Sequence, residues 1–348
     1  NGRIGNTLLV NGKTSQKLRV KRGVPQRLRI VNVSNSRFMR LSIPGHRMWR
    51  VGGDGGLLTA PIEISPIEMV EDPDNPGSMM SDPDPEKGLL LTPGERADII
   101  FTPTGHANKL ALESHDIARG VHSAFYKPDG SIGLGDDESD GKLHPVKLMN
   151  FRLSGRKNRS SEYIPPSALR YITPVDTAGA APLPVMFGHM PPTSSGDVTF
   201  FAAMKDGKPL PFNMVTADDA PVVAPNEIRI IEVNNMTGGD HNYHLHGFSF
   251  QHIETQYIDM DNPENNVTVP AAFQEVKDTI LVPRRPGAMM RSRTVVRLAV
   301  KFDDTGREGQ IAASGKTPGT TESGGWVFHC HILEHSDSGM MSFIQVVE

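Results

Sequence analysis

The apolar positions of this 348-residue chain fall in short, closely spaced runs separated by turn residues. Residues 17–20, 27–33 and 38–43 place apolar and polar side chains in the alternating pattern of half-buried strands. Residues 7–12 begin in the same style, and residues 89–101 read as a strand, a turn at Pro93-Gly94 and a second strand. In the second half, residues 198–202, 227–233, 279–282, 294–302 and 326–328 repeat the pattern, and 341–348 closes it. No run sustains the helical period of a long amphipathic helix. Short, β-branched runs punctuated by 34 glycines and 28 prolines predict an all-β fold of sandwich architecture. Two segments interrupt the pattern. Residues 71–86, rich in Pro and Asp, read as an irregular insertion. Residues 156–187 are polar and then Pro/Ala-rich, and read as a linker between a first domain over 1–155 and a second over 188–348.

Charge and cysteine content narrow the picture. With 36 basic and 40 acidic residues, the net charge of −4 offers no electrostatic reason to expect nucleic acid or an anionic membrane as a partner. The acidic run 136–140 reads as a solvated loop. No stretch approaches the ~18 apolar residues of a transmembrane helix. The single cysteine, Cys330, excludes an intrachain disulfide. Asn-x-Ser/Thr sequons at Asn32, Asn158, Asn235 and Asn266 are too short a signal to establish secretion. The chain opens at Asn1 without an initiator methionine or a signal peptide, which fits a processed product or a fragment of something longer.

The chemistry concentrates around that one thiol. Cys330 lies between His329 and His331, with His335 five positions on and Met340 ten positions on. A soft thiolate, imidazoles and a thioether are the donor set of a blue-copper electron-transfer site. Zinc favours closed four-ligand sites and has no use for a distant thioether. A second cluster, His241-Asn-Tyr-His244-Leu-His246-Gly247, lies upstream. Side chains alternate faces along a strand. His244 and His246 therefore share one face and His241 points to the other; His329 and His331 share a face and Cys330 points away. The motifs thus sort into two sites, one of Cys330 and His241 joined by His335 and Met340, and one of His244, His246, His329 and His331. Cys330 and its neighbours form a covalent wire between them. Isolated histidines such as His46, His106, His144 and His189 read as ordinary residues, because one imidazole makes no site.

The runs His-Cys-His-x3-His-x4-Met and His-x2-His-x-His-Gly resemble the two C-terminal copper motifs of the multicopper oxidases, in particular the bacterial three-domain, laccase-like branch. Residues 5–12, Asn35-Ser-Arg-Phe38, Asp54-Gly-Gly56 and Lys277-Asp278-Thr279 resemble further words of that family. The resemblance implies two tandem cupredoxin-like Greek-key β-sandwich domains, the first without copper ligands. It implies a type 1 copper on His241, Cys330 and His335 with Met340 as weak axial ligand. His244 would serve the type 2 copper, and His246, His329 and His331 the type 3 pair. It implies one-electron oxidation of a small-molecule or metal-ion reductant, coupled to reduction of O2 to water, in a periplasmic or extracellular setting. The family's cluster uses eight histidines in four motifs; this chain's thirteen histidines supply only the last two. An N-terminal cupredoxin domain, on another or a cleaved polypeptide, is the expected partner. Relatives often carry a glutamate directly after the histidine matching His335. Ser336 stands there, with Glu334 and Asp337 as neighbouring carboxylates; Asp337, together with Cys330, His329 and His331, is the catalytic candidate. Two functions stay open: an oxidase chain contributing half the cluster, and a non-catalytic blue-copper electron-transfer or copper-binding protein.

Overall fold

The computed structural model describes residues 7–72, 76–82, 84, 86–115, 145–156, 162–191, 194, 198–286, 291–303 and 325–347. The acidic run 136–140, His122, His144 and Asn158 lie outside the described residues. The chain divides into two compact units, one over Arg3–Tyr171 and one over Ile172–Glu348. Among the described residues, no helix is long and apolar enough to cross a membrane.

The first unit is a sandwich of two sheets. One has the strand order Gln16–Lys21, Val146–Ser154, Lys109–His115, Met39–Ser42, Leu89–Leu91; the other has the order Gln26–Val31, Arg96–Phe101, Met48–Gly53, Gly56–Ile64. Alternation sets the inward faces: Ala97, Ile99 and Phe101 are buried on one strand, and Leu41, Leu112 and Phe151 come from the opposite sheet. The Phe101 and Phe151 rings meet at 5.0 Å. The turn at Pro93-Gly94 separates two strands as expected, but they belong to different sheets, so the turn crosses the sandwich instead of making a hairpin.

Three local expectations need correction. Residues 7–12 do not form a strand; Asn11 and Gly12 adopt positive φ and close a tight turn through a single Val10–Lys13 bridge. The 71–86 segment is not wholly irregular, because Met69–Glu71 pairs antiparallel with Met79–Ser81. Residues 181–187 are not linker: the Ala181–His189 strand runs parallel to Ile228–Asn235 and buries Leu183, Val185 and Phe187. Two prolines hid that strand, but both Pro182 and Pro184 sit at outward positions. Two sequon asparagines, Asn32 and Asn235, are buried and hydrogen-bonded within the fold.

Among the described residues of this unit, His115 is strongly perturbed. It is 1% exposed, and its Nδ1 lies 2.7 Å from Ser81 Oγ. Burial, helped by the Arg40 charge, pushes its pKa down from 6.5 to about 4. The unfolded chain therefore binds a proton that the folded unit refuses. Stability is full above the unfolded value and falls as pH drops from 6.5 towards 4, by up to about 3 kcal/mol. Denaturant titrations across this window should show that slope, and His115→Gln should flatten it. A variant with the wild-type slope would place the acid sensitivity elsewhere.

The second unit is also a sandwich. Its larger sheet has the order Phe200–Phe201, Ala181–His189, Ile228–Asn235, Ser292–Lys301, Phe250–Asp259, Val267–Pro270. The smaller has the order Val222–Val223, Met341–Val346, Gly325–Cys330, His241–Leu245, Thr279–Val282. Ile231, Val233, Val296 and Leu298 of the first face Tyr243, Leu245, Phe328 and Ile344 of the second across a buried core. Tyr243 carries the contact, with Phe187, Phe250 and Phe328 rings at 6.3, 6.0 and 5.7 Å. The segment after Cys330 contains the short helix Leu333–Asp337. That turn returns the chain so that Met340 N–H donates to His335 O and Cys330 N–H donates to Met340 O, at 2.9 and 3.0 Å.

Candidate metal centre

Strand register assembles the site. The His241–Leu245 strand pairs antiparallel with Gly325–Cys330, setting Tyr243 opposite Cys330 and His244 opposite His329. Pleating then sends the side chains to two sides, as the spacing of the motifs predicts. Gly247 ends the first motif with φ +76°, and the Trp326 ring packs 2.1 Å from where a Cβ would stand. Only glycine fits both the backbone and the space, which accounts for the His-Gly step.

On the inner side, Cys330 Sγ lies 3.7 Å from His241 Nδ1 and 3.7 Å from His335 Nδ1, and the two nitrogens are 3.0 Å apart. All three residues are buried, His241 at 2%, Cys330 at 0% and His335 at 7% exposure. A triangle with these edges accommodates an ion about 2.0–2.3 Å from each donor, the bond lengths that imidazole and thiolate make to first-row metals. Met340 is fully buried and tied through its backbone to both Cys330 and His335.

Hydrogen bonds around the triangle choose the imidazole tautomer. Thr237 Oγ1 donates to Asn235 Oδ1 or Gly239 O, at 2.8 and 3.1 Å. It is therefore left to accept from His241 Nε2–H at 2.7 Å. That bond puts the proton of His241 on Nε2 and turns the Nδ1 lone pair towards Cys330. Asn242 Oδ1 accepts the His331 backbone N–H at 3.0 Å and lies 3.6 Å from Cys330 Sγ, holding the thiol strand in place. Neither Thr237 nor Asn242 was singled out from the sequence. Asn242 lies inside the motif and Thr237 four residues before it, but a hydroxyl and an amide carry no metal signature of their own. Replacing Thr237 with valine removes the acceptor and leaves a buried N–H without a partner. Copper affinity should fall by about 10–100-fold, the usual cost of losing such a supporting bond, as measured by chelator competition. Unchanged affinity would mean that the tautomer is set by the metal alone.

On the other side, four histidines meet. His244 has ring centroids at 4.8, 5.3 and 5.5 Å from His246, His329 and His331. His329 lies 5.2 Å from His246 and 5.3 Å from His331, and His246 Nε2 faces His329 Nε2 at 3.1 Å. Two outer bonds again set the tautomers. His244 Nδ1 lies 2.9 Å from Asp278 O, and His329 Nδ1 lies 2.9 Å from Cys330 O. Each Nδ1–H is thereby used, so each Nε2 is the unprotonated nitrogen whose lone pair can bind metal. Burial, reinforced by the neighbouring histidines, pushes the His329 pKa down to about 4, so the ring is neutral near pH 7, as a ligand must be. The carboxylate found beside this group is Asp278, whose Oδ1 lies 3.6 Å from His244 Nδ1. Asp337 is exposed at the end of the short helix, and no hydrogen bond or ion pair ties it to either group.

Of the isolated histidines, His46 is structural. Its Nε2 accepts the Thr104 backbone N–H at 3.1 Å and its Nδ1 lies 3.0 Å from Pro44 O. His189 is exposed, and its ring lies edge-on to that of Phe200.

Two multicopper oxidase family models match the chain, over residues 2–69 and 189–348. The chain is similar to multicopper oxidase LPR1 homolog 5 of Oryza sativa subsp. japonica, 24% identical over 97% of this chain and 48% of that protein. A stretch of 69 residues is 45% identical to cell division protein FtsP of Proteus mirabilis, covering 20% of this chain and 14% of that one. In fold it matches the multicopper oxidase from Campylobacter jejuni, described as a metallo-oxidase, with a TM-score of 0.66 at 21% identity over 100% of this chain and 58% of that one. The chain spans about half the length of the LPR1 homolog it matches. These sandwiches are therefore of the cupredoxin-like kind found in multicopper oxidases.

Proposed function

This chain belongs to the multicopper oxidase family, whose metal is copper, and we propose that it carries the electron-entry site and half of the oxygen-reducing site of a laccase-like oxidase. In this reading His241, Cys330 and His335 hold the type 1 copper with Met340 as a weak axial ligand. His244 serves the type 2 copper, and His246, His329 and His331 serve the type 3 pair. The observation that carries it is the convergence of one thiolate and two imidazoles, 3.0–3.7 Å apart, on a cysteine whose two sequence neighbours reach the second histidine group. Bound copper would supply one-electron acceptance from a reductant at the first group and reduction of dioxygen to water at the second.

The chain's own residues do the rest. Burial of Cys330 and the carbonyl of Met340 on its N–H keep the thiolate fixed and dry. The peptide links of Cys330 to His329 and His331 connect the two groups by bonds alone. Dioxygen reduction consumes protons, and Asp337 was the candidate donor from sequence. Its exposure and lack of ties to the histidines leave Asp278, 3.6 Å from His244, better placed to hold a proton there. The reductants are phenol-like molecules or metal ions, and the setting is periplasmic or extracellular. Four imidazoles are too few for three coppers, so a further cupredoxin domain completes the cluster, on this polypeptide's longer form or on a partner. Oxygen uptake with hydroquinone, followed together with the visible and EPR spectra of the copper-loaded protein, tests this reading. Copper-loaded material without a blue band would overturn it.

A second reading is supported by the same count. Among the described residues only four histidines form the second group, which suits a blue-copper electron-transfer protein that uses the thiolate site alone. Such a protein would bleach with reductant but consume no oxygen in any assembly. In both readings the axial ligand tunes the potential. Met340→Leu removes a weak donor and should raise the type 1 reduction potential while keeping the blue colour. A lowered or unchanged potential would remove Met340 from the ligand set.

A further inference from the structure

The aromatic ring of Phe200 lies on the imidazole of His335. The centroids are 4.3 Å apart and the planes 27° from parallel. The same ring meets His241 edge-on at 6.4 Å. This contact is anchored through the backbone. Phe200 N–H donates to Ser338 O at 2.8 Å, inside the turn that joins His335 to Met340. Gly339 in that turn has φ +109°, and a Cβ there would lie 2.5 Å from Phe200 O. The short strand Phe200–Phe201 can therefore press against the turn only because residue 339 is glycine. The outcome is that His335 is just 7% exposed. The Phe200 ring also meets the exposed His189 edge-on, at 6.1 Å.

We propose that Phe200 is a positioning residue of the thiolate site, holding the His335 ring and covering its face, so that a reducing substrate makes its contact at Phe200 and His189 and not at His335. The inference rests on the type 1 copper reading of that site. Its physical content is twofold. A stacked ring fixes the imidazole orientation and excludes water from it. The apolar shell around a copper site controls solvent access and dielectric, and through them the potential. Water admitted to the ligand favours the more highly charged Cu(II) over Cu(I), so removing the ring lowers the potential. His189 lies outside that shell, so its removal alters docking without altering the metal.

The test uses the copper-loaded protein and three variants, Phe200→Ala, Phe200→Tyr and His189→Ala. The visible band and the potential are read in a redox titration against hexacyanoferrate, and the anaerobic bleaching of the blue band by hydroquinone is followed by stopped flow to give a limiting rate and a half-saturating concentration. Phe200→Ala is expected to lower the potential and shift the band, and Phe200→Tyr to restore both. His189→Ala is expected to keep the wild-type band and potential while raising the hydroquinone concentration for half-maximal bleaching several-fold with the limiting rate held. Should Phe200→Ala fail to fold, Phe200→Leu keeps apolar volume without the flat ring and should shift the potential in the same direction by less. Wild-type potential and band in a folded Phe200→Ala or Phe200→Leu protein would overturn the positioning role. A wild-type half-saturating hydroquinone concentration in His189→Ala would overturn the docking face. A wild type that holds copper without a blue band would overturn the type 1 reading and this inference with it, an outcome separable from the other two.

Discussion

Cys330→Ser is expected to abolish the blue colour of the oxidised protein and to reduce donor oxidation by more than about 100-fold. Loss of a supporting hydrogen bond already costs 10–100-fold in metal affinity or activity, and this change removes a direct ligand. The serine hydroxyl is hard and stays protonated near pH 7, whereas the copper of a blue site needs a soft, deprotonated sulfur. Geometry gives no substitute. Cys330 is fully buried, and it is the only cysteine in the chain. Asn242 Oδ1, 3.6 Å from the sulfur, already accepts the His331 N–H. The size of the side chain hardly changes, so the fold and the four-histidine group should persist. Visible absorption and copper analysis on the purified variant check this. A blue Cys330→Ser protein would end the type 1 assignment.

The second large effect concerns copper stoichiometry. Purified as this chain alone, the protein is expected to hold the type 1 copper and show little oxygen uptake. Joined to a domain that adds two His-x-His pairs, it should hold four coppers and turn over. The argument is one of coordination. His244, His246, His329 and His331 offer one metal-binding ring nitrogen each, which cannot give three ions two or more protein ligands each. Two copies of this chain placed face to face would bring eight histidines, but they would also force two thiolate sites onto one cluster, an arrangement that closed two-fold symmetry permits without favouring. Copper quantification, intact mass and oxygen uptake on one sample decide. Four coppers with full turnover in a verified single-chain monomer would refute the split cluster.

Much of this protein was legible from the one-dimensional pattern. The 279–282 run is the Thr279–Val282 strand, and residues 294–302 and 326–328 lie on or beside strands that the structure contains. Those runs combine β-branched residues with a clear period, and their neighbours in the sheet agree with it. The failures share a cause. Pro182 and Pro184 hid the Ala181–His189 strand, because a proline is read as a breaker unless it is known to lie along a free edge; Phe200–Phe201 pairs with this strand only at Gly188 and His189. The Leu333–Asp337 helix is a single turn, too short to show a period. Residues 7–12 have strand-like composition, but Asn11 and Gly12 turn the chain back.

The sequence by itself determined the chemistry. Donor types and strand parity are local properties, so the division into a thiolate group and a four-histidine group could be read from spacing alone. Only the tertiary structure decided how those donors are used. His241 and His335 stand 94 positions apart, and their nitrogens meet at 3.0 Å only through strand register and the turn after Cys330. The proton on His241 is placed by Thr237, the one on His244 by the main chain of Asp278, and the face of His335 is closed by Phe200. Each of these depends on which strands become neighbours and in which register, and that is settled by burial of a shared core over long sequence separations, not by any local run of residues.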